Sequence, residues 1–281
     1  VASRPNVSVA CTTDLPEGKF DLVALPFGKN DEAELTRETL QFAHERLVEG
    51  GRMIVSVENP KDSWLHDELR MLFDKVTRDP VPKVGVRYSA TKRGPVKRPR
   101  DFSCEFAFRD GETLVKAFSR PGVFNHRQID GGARALLEAV GVEAGDRVLD
   151  LGCGAGTVGL ALAKRAEGVR VLAVDSNPRA LACTERGAAL NDVTIETHLD
   201  ATATVPEPGT FDLVVGNPPY FSKFAIAEVF VAGAQRAVKP GGLVAFVTRQ
   251  PNWFAERMFE SFDDVGIADI KTYSVVVGTG R

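Results

Sequence analysis

Asn217 stands at a point in the chain where its side-chain amide could do chemistry. It opens the segment Asn217-Pro218-Pro219-Tyr220, directly after an apolar run at 211–216 that predicts a buried strand. Proline fixes φ and biases the preceding residue toward extended backbone, which turns the Asn217 amide and the nearby carbonyls outward. An amide oxygen and a carbonyl can accept two hydrogen bonds from a planar NH2 group, and Tyr220 offers a face for its ring. These residue types suit methyl transfer to an amine, and the alternative is a plain surface turn.

A glycine-rich turn lies upstream, between a predicted strand and a predicted helix. The apolar residues 147–151 predict the strand, residues 152–159 carry four glycines, and a helical stretch follows at 160–166. Glycines let a backbone approach a ligand closely, and amides at a helix start favour a negatively charged group. Residues 154–159 match the dinucleotide fingerprint, which keeps a nicotinamide enzyme as an alternative. Asp150 argues against it, because its charge repels a pyrophosphate but attracts the amino group of a methionine-like zwitterion, directly or through water.

Two further acids follow predicted strands. Asp175 ends a strand at 169–174, at a distance that suits an acid binding ribose hydroxyls. Asp200 follows a short strand near 193–195, in a position to meet an adenine amine. Asp175 could instead cap a helix, and Asp200 could be an ordinary turn residue. In this order along the chain, the acids, the glycine turn and the Asn217 segment together resemble a class I S-adenosylmethionine-dependent methyltransferase over residues 120–281.

That resemblance implies a cofactor, S-adenosylmethionine, and a set of site residues. The implied cofactor-binding residues are Asp150, Gly152, Gly154, Asp175, Asp200 and Asn217. The implied catalytic residues come from the Asn-Pro-Pro-aromatic segment and are Asn217, Pro218 and Tyr220. The expected reaction is direct in-line displacement by the amine, in which the protein supplies position and electrostatics and needs no strong general base.

The first third of the chain repeats the pattern of the last. Phe20-Asp21-Leu22-Val23 and Gly50-Gly51 recur 191 residues later as Phe211-Asp212-Leu213-Val214 and Gly241-Gly242, with helical stretches between them. The positions that match Asn217 to Tyr220 are Pro-Phe-Gly-Lys at 26–29, which lack the accepting amide. We therefore expect an α/β protein in which residues 1–118 form a degenerate, incomplete methyltransferase-like domain and residues 119–281 form a catalytic Rossmann-like domain. The alternative is that any two α/β segments share a strand-helix-strand pattern.

The combination of a degenerate first domain with a catalytic second domain makes the family resemblance more specific. With Arg120-Pro121-Gly122-Val123-Phe124 before the second domain, the chain is similar to the bacterial ribosomal RNA guanine-N2 methyltransferases, the small-subunit methyltransferase C family and its large-subunit relatives. The similarity implies methylation of guanine N2, ribosomal RNA or a ribosomal subunit as partner, and a first domain that supports folding and RNA binding. The family usually has Phe then His after the prolines, whereas this chain has Tyr220-Phe221-Ser222. Adenine N6 of transfer RNA or another RNA and glutamine N5 of a protein therefore stay open as acceptors, beside a non-catalytic RNA-binding protein.

Charge is distributed unevenly along the chain. The formal net charge is −3, yet 11 Lys and Arg stand against 4 Asp and Glu between Lys83 and Arg127. The densest part of this stretch predicts contacts to RNA phosphates through Lys92, Arg93, Lys97 and Arg98. The alternative is a solvated linker rich in Gly and Pro.

The remaining composition limits the classes of protein. The four cysteines and four histidines are scattered without metal-ligand spacing, so we expect free thiols, no metal and a reducing, cytoplasmic location. No apolar run is long enough to cross a membrane and no signal peptide is visible. We expect a monomer that does not associate with membranes.

Overall fold

The structure, a computed structural model, describes residues 6–219 and 224–281, which form two compact units dividing between Ser103 and Cys104. Tyr220, expected to be catalytic, lies outside the described residues. The division falls upstream of the expected boundary after residue 118, because a hairpin at 104–119 packs on helices of the second unit. The described elements of the first unit are β1 (Phe20–Phe27), α1 (Ala33–Arg46), β2 (Leu47–Val57), α2 (Trp64–Leu72), β3 (Val76–Val81) and β4 (Gly85–Thr91).

The first unit is a small sheet with its own core. Its strand order is β1-β2-β4-β3, in which β1 and β2 are parallel and the other pairs are antiparallel. Leu40 and Leu69 from the two helices pack with Met53 and Val55 of β2, and all four are buried. Tyr88 of β4 is also buried, and its hydroxyl donates to the Asp62 carboxylate at 2.8 Å, which satisfies the one polar atom of that ring.

The second unit is built on a seven-stranded sheet and a separate hairpin. The described elements of this unit are β5 (Cys104–Asp110), β6 (Thr113–Ser119), α3 (Gly131–Ala139), β7 (Arg147–Leu151), α4 (Thr157–Arg165), β8 (Arg170–Asp175), α5 (Pro178–Leu190), β9 (Ile195–Leu199), β10 (Phe211–Gly216), α6 (Ala225–Ala237), β11 (Val238–Thr248), α7 (Pro251–Phe259), β12 (Phe262–Ile270) and β13 (Tyr273–Gly280). The sheet order is β12-β13-β11-β10-β7-β8-β9, and β5 and β6 form a separate two-stranded sheet.

Helices cover both faces of this sheet. Successive side chains of a strand point to opposite faces, so β7 places Val148 in a core with α3 and α4 and places Leu149 in a second core with α6 and α7. Strands buried on both sides read as continuous apolar runs, which is why β7 and β10 could be predicted at the bounds that the structure shows. No helix in the described part of the chain combines the length and the apolar character of a membrane crossing.

The chain order reverses direction across the sheet between β7 and β10. From β7 it proceeds outward through β8 to β9, and it then returns to the other side of β7 with β10. Ligands of open α/β sheets bind at the carboxyl ends of the strands beside such a switch point. The fold therefore places the candidate site after Leu151 and Gly216, which are paired across these two strands.

The internal repeat is visible in the two sheets. The order β1-β2-β4-β3 matches β10-β11-β13-β12, element for element. The pairing of β1 with β2 shifts register between Phe20 and Leu22, and that of β10 with β11 shifts between the equivalent Phe211 and Leu213. The two units thus share a bulged parallel strand pair at the offset that the sequence shows. In the described part of the first unit no glycine turn joins a strand to a helix ahead of β1.

Gly216 offers a test of this packing. A Cβ there would lie 2.9 Å from Phe246 Cε1 and 3.0 Å from Phe230 Cδ1. We expect Gly216→Ala to lower the free energy of unfolding by about 1–3 kcal/mol in urea denaturation, because the core is overpacked. Gly141→Ala is the control, since no atom lies within 4 Å of its Cβ position and the substitution should be neutral or slightly stabilising. Equal stability of both variants would contradict the packing described for Gly216.

Candidate active site

Two loops leave the sheet side by side and define the candidate active site. Gly216 of β10 pairs with Leu151 of β7, so the next residues, Asn217 and Gly152, leave from adjacent strand ends. The ring of Phe230 from α6 fills the space beside both glycines, because a Cβ on Gly152 would lie 2.7 Å from Phe230 Cζ and one on Gly216 3.0 Å from Phe230 Cδ1. Phe230 thereby holds the glycine turn and the Asn217 loop in one packing unit.

The glycine turn has the backbone that its sequence predicts. Gly152 and Gly154 have φ of +70° and +56°, in the left-handed region where glycine has no steric cost. The turn is tied to the end of β8, because Gly152 N–H donates to the Val174 carbonyl at 2.8 Å. Among the described residues, a Cβ on Gly154 would meet only Phe124 Cβ, at 4.0 Å, so these residues leave the backbone open to a ligand at this point. This open backbone fits the close approach of S-adenosylmethionine that the resemblance implies.

Asp175 lies at the end of β8 and faces the glycine turn. Its Oδ2 accepts from Gly154 N–H and its Oδ1 from Asn177 N–H, both at 2.9 Å. Asn177, not Asp175, caps α5, by accepting from Arg179 N–H at 3.0 Å. Burial raises the pKa of Asp175, although backbone donors oppose the shift. A carboxylate has about four acceptor positions, more than the backbone donors use here, so acceptor capacity remains for a ribose hydroxyl, and that role stays a prediction.

Asp150 lies beneath the glycine turn and is 3% exposed. Its Oδ2 accepts from Gly159 N–H at 3.0 Å, which ties the first turn of α4 to the end of β7. Burial, together with the negative charge of Asp175, raises the pKa of Asp150 to about 7, and the Gly159 donor opposes this. The predicted contact with a ligand's amino group would supply the missing positive charge, and it stays a prediction.

Asp200 is placed next to Asp175 but is engaged with its own turn. Asp200 N–H donates to the Asp175 carbonyl at 3.1 Å. The carboxylate accepts from Thr202 N–H at 2.6 Å and from Thr204 N–H at 2.9 Å. Burial acts to raise the pKa of Asp200, but the Thr204 and Thr202 donors outweigh it and the pKa is lowered. The turn role is therefore present in the structure, and the adenine contact stays a prediction.

Asn217 is held by a carboxylate that the sequence patterns did not point to. Its Nδ2 donates to Asp130 Oδ2 at 2.9 Å. The same oxygen accepts from Gly132 N–H at 2.8 Å and Ala133 N–H at 3.3 Å, so Asp130 is also the N-cap of α3. A flipped amide would set its oxygen against a carboxylate, so Asp130 fixes Nδ2 as the inward group and leaves Oδ1 as the acceptor.

Gly132 completes this arrangement. A Cβ there would lie 2.7 Å from Asp130 Oδ2 and 3.2 Å from Asn217 Oδ1, so only glycine leaves room for the pair. The signal available in the sequence was Asp130 before two glycines and a helical run, which is typical of a helix start. That signal gives the cap but not its second partner, which is 87 residues away. Pro218 follows Asn217 as a buried residue.

The basic segment predicted to contact RNA belongs to the first unit, and one of its residues has a different role. Lys92 Nζ donates to the carbonyls of Leu47 at 2.8 Å and His44 at 2.9 Å, and more weakly to that of Glu45. Its three N–H bonds therefore cap the end of α1, and burial lowers its pKa. These carbonyls occupy the Lys92 ammonium in the structure, and its phosphate contact stays a prediction. Lys97 is exposed and pairs with Asp74 at 2.9 Å, and Arg93 and Arg98 are exposed.

The other titratable residues do not form a metal centre in the described ranges. No group of three or more His, Cys, Asp or Glu is placed to hold an ion there. The four cysteines are free thiols, as predicted, with Cys153 and Cys183 buried. Burial raises the pKa of the Cys153 thiol, so that residue acts as a packing group within the glycine turn.

A seven-stranded sheet of this order, with a glycine turn after β7 and an amide after β10, defines the Rossmann-like fold of S-adenosylmethionine-dependent methyltransferases. A 16S rRNA N2 methyltransferase from T. thermophilus, solved with AdoMet and guanosine, matches it with a TM-score of 0.80 at 22% identity. The match covers 94% of this chain and 74% of that one, so both units share the fold of that protein. The predicted fold class is confirmed.

Sequence comparisons give the family. The family described as methyltransferase small domain matches residues 115–277. A ribosomal RNA small subunit methyltransferase C of Pseudoalteromonas translucida is 31% identical over 255 residues, covering 87% of this chain and 73% of that protein. One of Chromohalobacter salexigens is 38% identical over 155 residues, covering 50% of this chain and 45% of that protein. The chain belongs to the methyltransferase small domain family, in the group named ribosomal RNA small subunit methyltransferase C, as the resemblance predicted.

The role of Asp130 can be separated from its role as a cap. Serine is a good N-cap but is too short to hold Asn217, so Asp130→Ser should keep the fold while methyl-transfer turnover falls about tenfold or more. Asp130→Asn is the control, because its amide oxygen can accept from both α3 and Asn217. Turnover, cofactor affinity and thermal unfolding would be measured for both variants. Unchanged turnover in Asp130→Ser would show that the contact to Asn217 has no effect on catalysis.

The raised pKa of Asp150 predicts a pH-dependent stability. In the unfolded chain this carboxyl ionises near pH 4, whereas in the folded protein it stays protonated up to about pH 7. The folded state therefore binds more protons in that window, and stability falls as pH rises through it. Asp150→Asn keeps the acceptor for Gly159 without the charge, so its stability relative to wild type should increase from pH 5 to pH 8 in urea unfolding. A difference that does not change with pH would contradict the shift.

Proposed function

We propose that this protein transfers the methyl group of S-adenosylmethionine to guanine N2 of ribosomal RNA. The observation that carries the proposal is the Asn217 amide, fixed by Asp130 at the end of β10 and adjacent to the open glycine turn. An amide acceptor fixed in this way is suited to an exocyclic NH2 group. The family supports the same acceptor, since relatives are named for ribosomal RNA and the solved T. thermophilus protein is described as an N2 enzyme with guanosine bound.

The chemistry requires the nitrogen to become nucleophilic. S-adenosylmethionine, when bound, supplies a methyl group activated by a sulfonium. The lone pair of guanine N2 is delocalised into the ring, so the protein must favour a pyramidal nitrogen. Asn217 Oδ1 and the Pro218 carbonyl can each accept one N2–H, which holds the amine in position and directs its lone pair away from them. The proton becomes acidic once the methyl is transferred, so these residues need no strong general base beside them.

The substrate and its surroundings complete the proposal. Tyr220, which lies outside the described residues, would stack on the target base, at a gain comparable to the few kcal/mol that extruding a base costs. Arg93, Lys97 and Arg98 would contact phosphates of ribosomal RNA or of a ribosomal subunit. We place the reaction in the cytoplasm and assign it to a monomer without metal.

Asn217 and Asp175 should separate catalysis from cofactor binding. Asn217→Ala removes an acceptor whose contact strengthens as the nitrogen pyramidalises, so turnover should fall far more than affinity for S-adenosylmethionine. Asp175→Ala should instead weaken cofactor affinity, because charge-assisted hydrogen bonds to ribose are worth roughly 1.5–3 kcal/mol. Calorimetry with S-adenosylmethionine and NAD, combined with single-turnover kinetics, measures both effects. Tight NAD binding or equal losses in the two variants would contradict the assignments.

The acceptor itself is tested by a parallel assay. Ribosomal RNA, partly assembled ribosomal subunits, transfer RNA and a release-factor protein would each be incubated with labelled methyl donor, followed by product analysis. We expect N2-methylguanosine from ribosomal RNA or the subunit. Label on adenine N6 or glutamine would overturn the guanine assignment and keep an amino methyltransferase. Label on carbon or a ring nitrogen would overturn both.

A further inference from the structure

The first unit contains a cavity of about 570 Å³ that the proposed chemistry does not use. It lies between α1, α2 and the segment 97–102 that follows β4. Its volume is in the range of pockets that bind small organic groups. Its apolar lining is contributed by Leu40, Met71, Leu72, Phe73 and Phe102.

The wall formed by segment 97–102 is fixed in place. Gln41 of α1 is buried and holds the backbone of Arg100 from both sides, donating to its carbonyl at 3.0 Å and accepting from its N–H at 2.8 Å. Phe102 is 5% exposed, and the Arg100 guanidinium lies over its ring, with Cζ 5.1 Å from the centroid. The Arg100 guanidinium over the Phe102 ring therefore forms one side of the cavity.

The cavity is cationic in a chain of negative net charge. Five Lys and Arg and two carboxylates line it: Arg37, Arg70, Lys97, Arg98, Arg100, Glu68 and Asp74. Glu68 pairs with Arg37 at 2.7 Å and Asp74 with Lys97 at 2.9 Å, so both carboxylates are neutralised locally. Arg98 is exposed and forms no ion pair within the described part of the chain. The surplus charge therefore lies on three arginines: Arg70, whose guanidinium donates to the Asp74 carbonyl, Arg98 and Arg100.

We infer that this cavity binds one nucleotide of single-stranded RNA, with the base against the Arg100–Phe102 side and the adjoining phosphate at Arg98. Arginine planes and aromatic rings stack on unpaired bases, whereas duplex RNA keeps its bases stacked internally and cannot insert one. The surplus of cations matches the phosphate and disfavours a basic partner. The inference rests on the proposed RNA substrate, and it names a second contact with that substrate, in the first unit.

The test uses the full chain and a single-stranded RNA oligonucleotide that carries one 2-aminopurine. Fluorescence of that base reports its stacking, and anisotropy reports overall affinity. We expect a saturable fluorescence change with wild type. Arg98→Ala and Phe102→Leu should each weaken affinity by about fivefold or more, in line with the loss of one base or phosphate contact. Arg52→Ala is the matched control, because Arg52 is an exposed arginine of the same unit outside the cavity.

The outcomes separate this inference from the proposed function. Equal losses in Arg98→Ala and Arg52→Ala, or equal binding of duplex and single-stranded RNA, would overturn the cavity as a nucleotide site. Phe102 is buried, so Arg98→Ala decides the result if Phe102→Leu fails to fold. Guanine methylation with unaltered RNA binding in the Arg98 variant would keep the methyl-transfer assignment, remove the phosphate contact proposed for Arg98 and exclude this site. Selective loss of single-strand binding in the Arg98 variant, in a protein that methylates no guanine, would support this site and overturn the proposed guanine methylation.

Discussion

The pairing of Leu151 with Gly216 is the constraint on which the candidate site depends. Parallel strands joined in this register deliver Gly152 and Asn217 to the same edge of the sheet. A slip of one residue would move every side chain of β10 to the opposite face and would break both cores. The ring of Phe230 packs against the ends of both strands and leaves room only for glycine at 152 and 216, so it favours the register in which these two glycines lie beside it. The glycine turn and the Asn217 loop are thus aligned by core packing.

The carboxylate of Asp130 fixes the orientation of the Asn217 side chain at this aligned edge. A half-buried carboxylate is costly unless its lone pairs are used, and here one oxygen accepts from two α3 amides and from Asn217. The N-terminus of α3 has a partial positive charge that favours the anion. The anion in turn polarises the Asn217 amide and strengthens Oδ1 as an acceptor. A helix that contributes no predicted catalytic residue therefore sets the orientation of the amide on which the proposed chemistry depends.

Sequence patterns predicted the features that depend on neighbouring residues and missed those that depend on partners distant in the chain. The bounds of β7 and β10 followed from apolar runs ended by glycine or proline, and the glycine turn from its closely spaced glycines between a strand and a helix. Asp130 was missed because its second partner is distant in sequence and is brought near only by the sheet. Charge density in the sequence does not show where the N–H bonds of Lys92 point, and in the structure three carbonyls at the end of α1 accept them, while its phosphate contact stays a prediction. Asp175 was located correctly at the end of its strand, whereas the strand before Asp200 lies at Ile195–Leu199, further along than predicted, and the backbone partners of both acids could not be read from composition.

The repeat at an offset of 191 residues reflects a shared architecture of the two units, and it does not imply a shared activity. Its identical residues are those that build the bulge: Gly50 and Gly241 have φ of +81° and +74°, and a Cβ on Gly51 or Gly242 would approach the carbonyl of Phe20 or Phe211 to 3.1 or 2.8 Å. These identities are geometric requirements of a bulged parallel pair, so they persist in both units whatever each unit does. The two units differ in the turn that follows their first shared strand, β1 in the first unit and β10 in the second. In the first unit the Asp31 carboxylate accepts from Gly28 N–H at 2.7 Å and closes the turn after β1, at the place where the second unit presents Asn217. Chemistry in this fold therefore resides in the residues that follow the strand, and the same scaffold can serve catalysis in one unit and another purpose in the other.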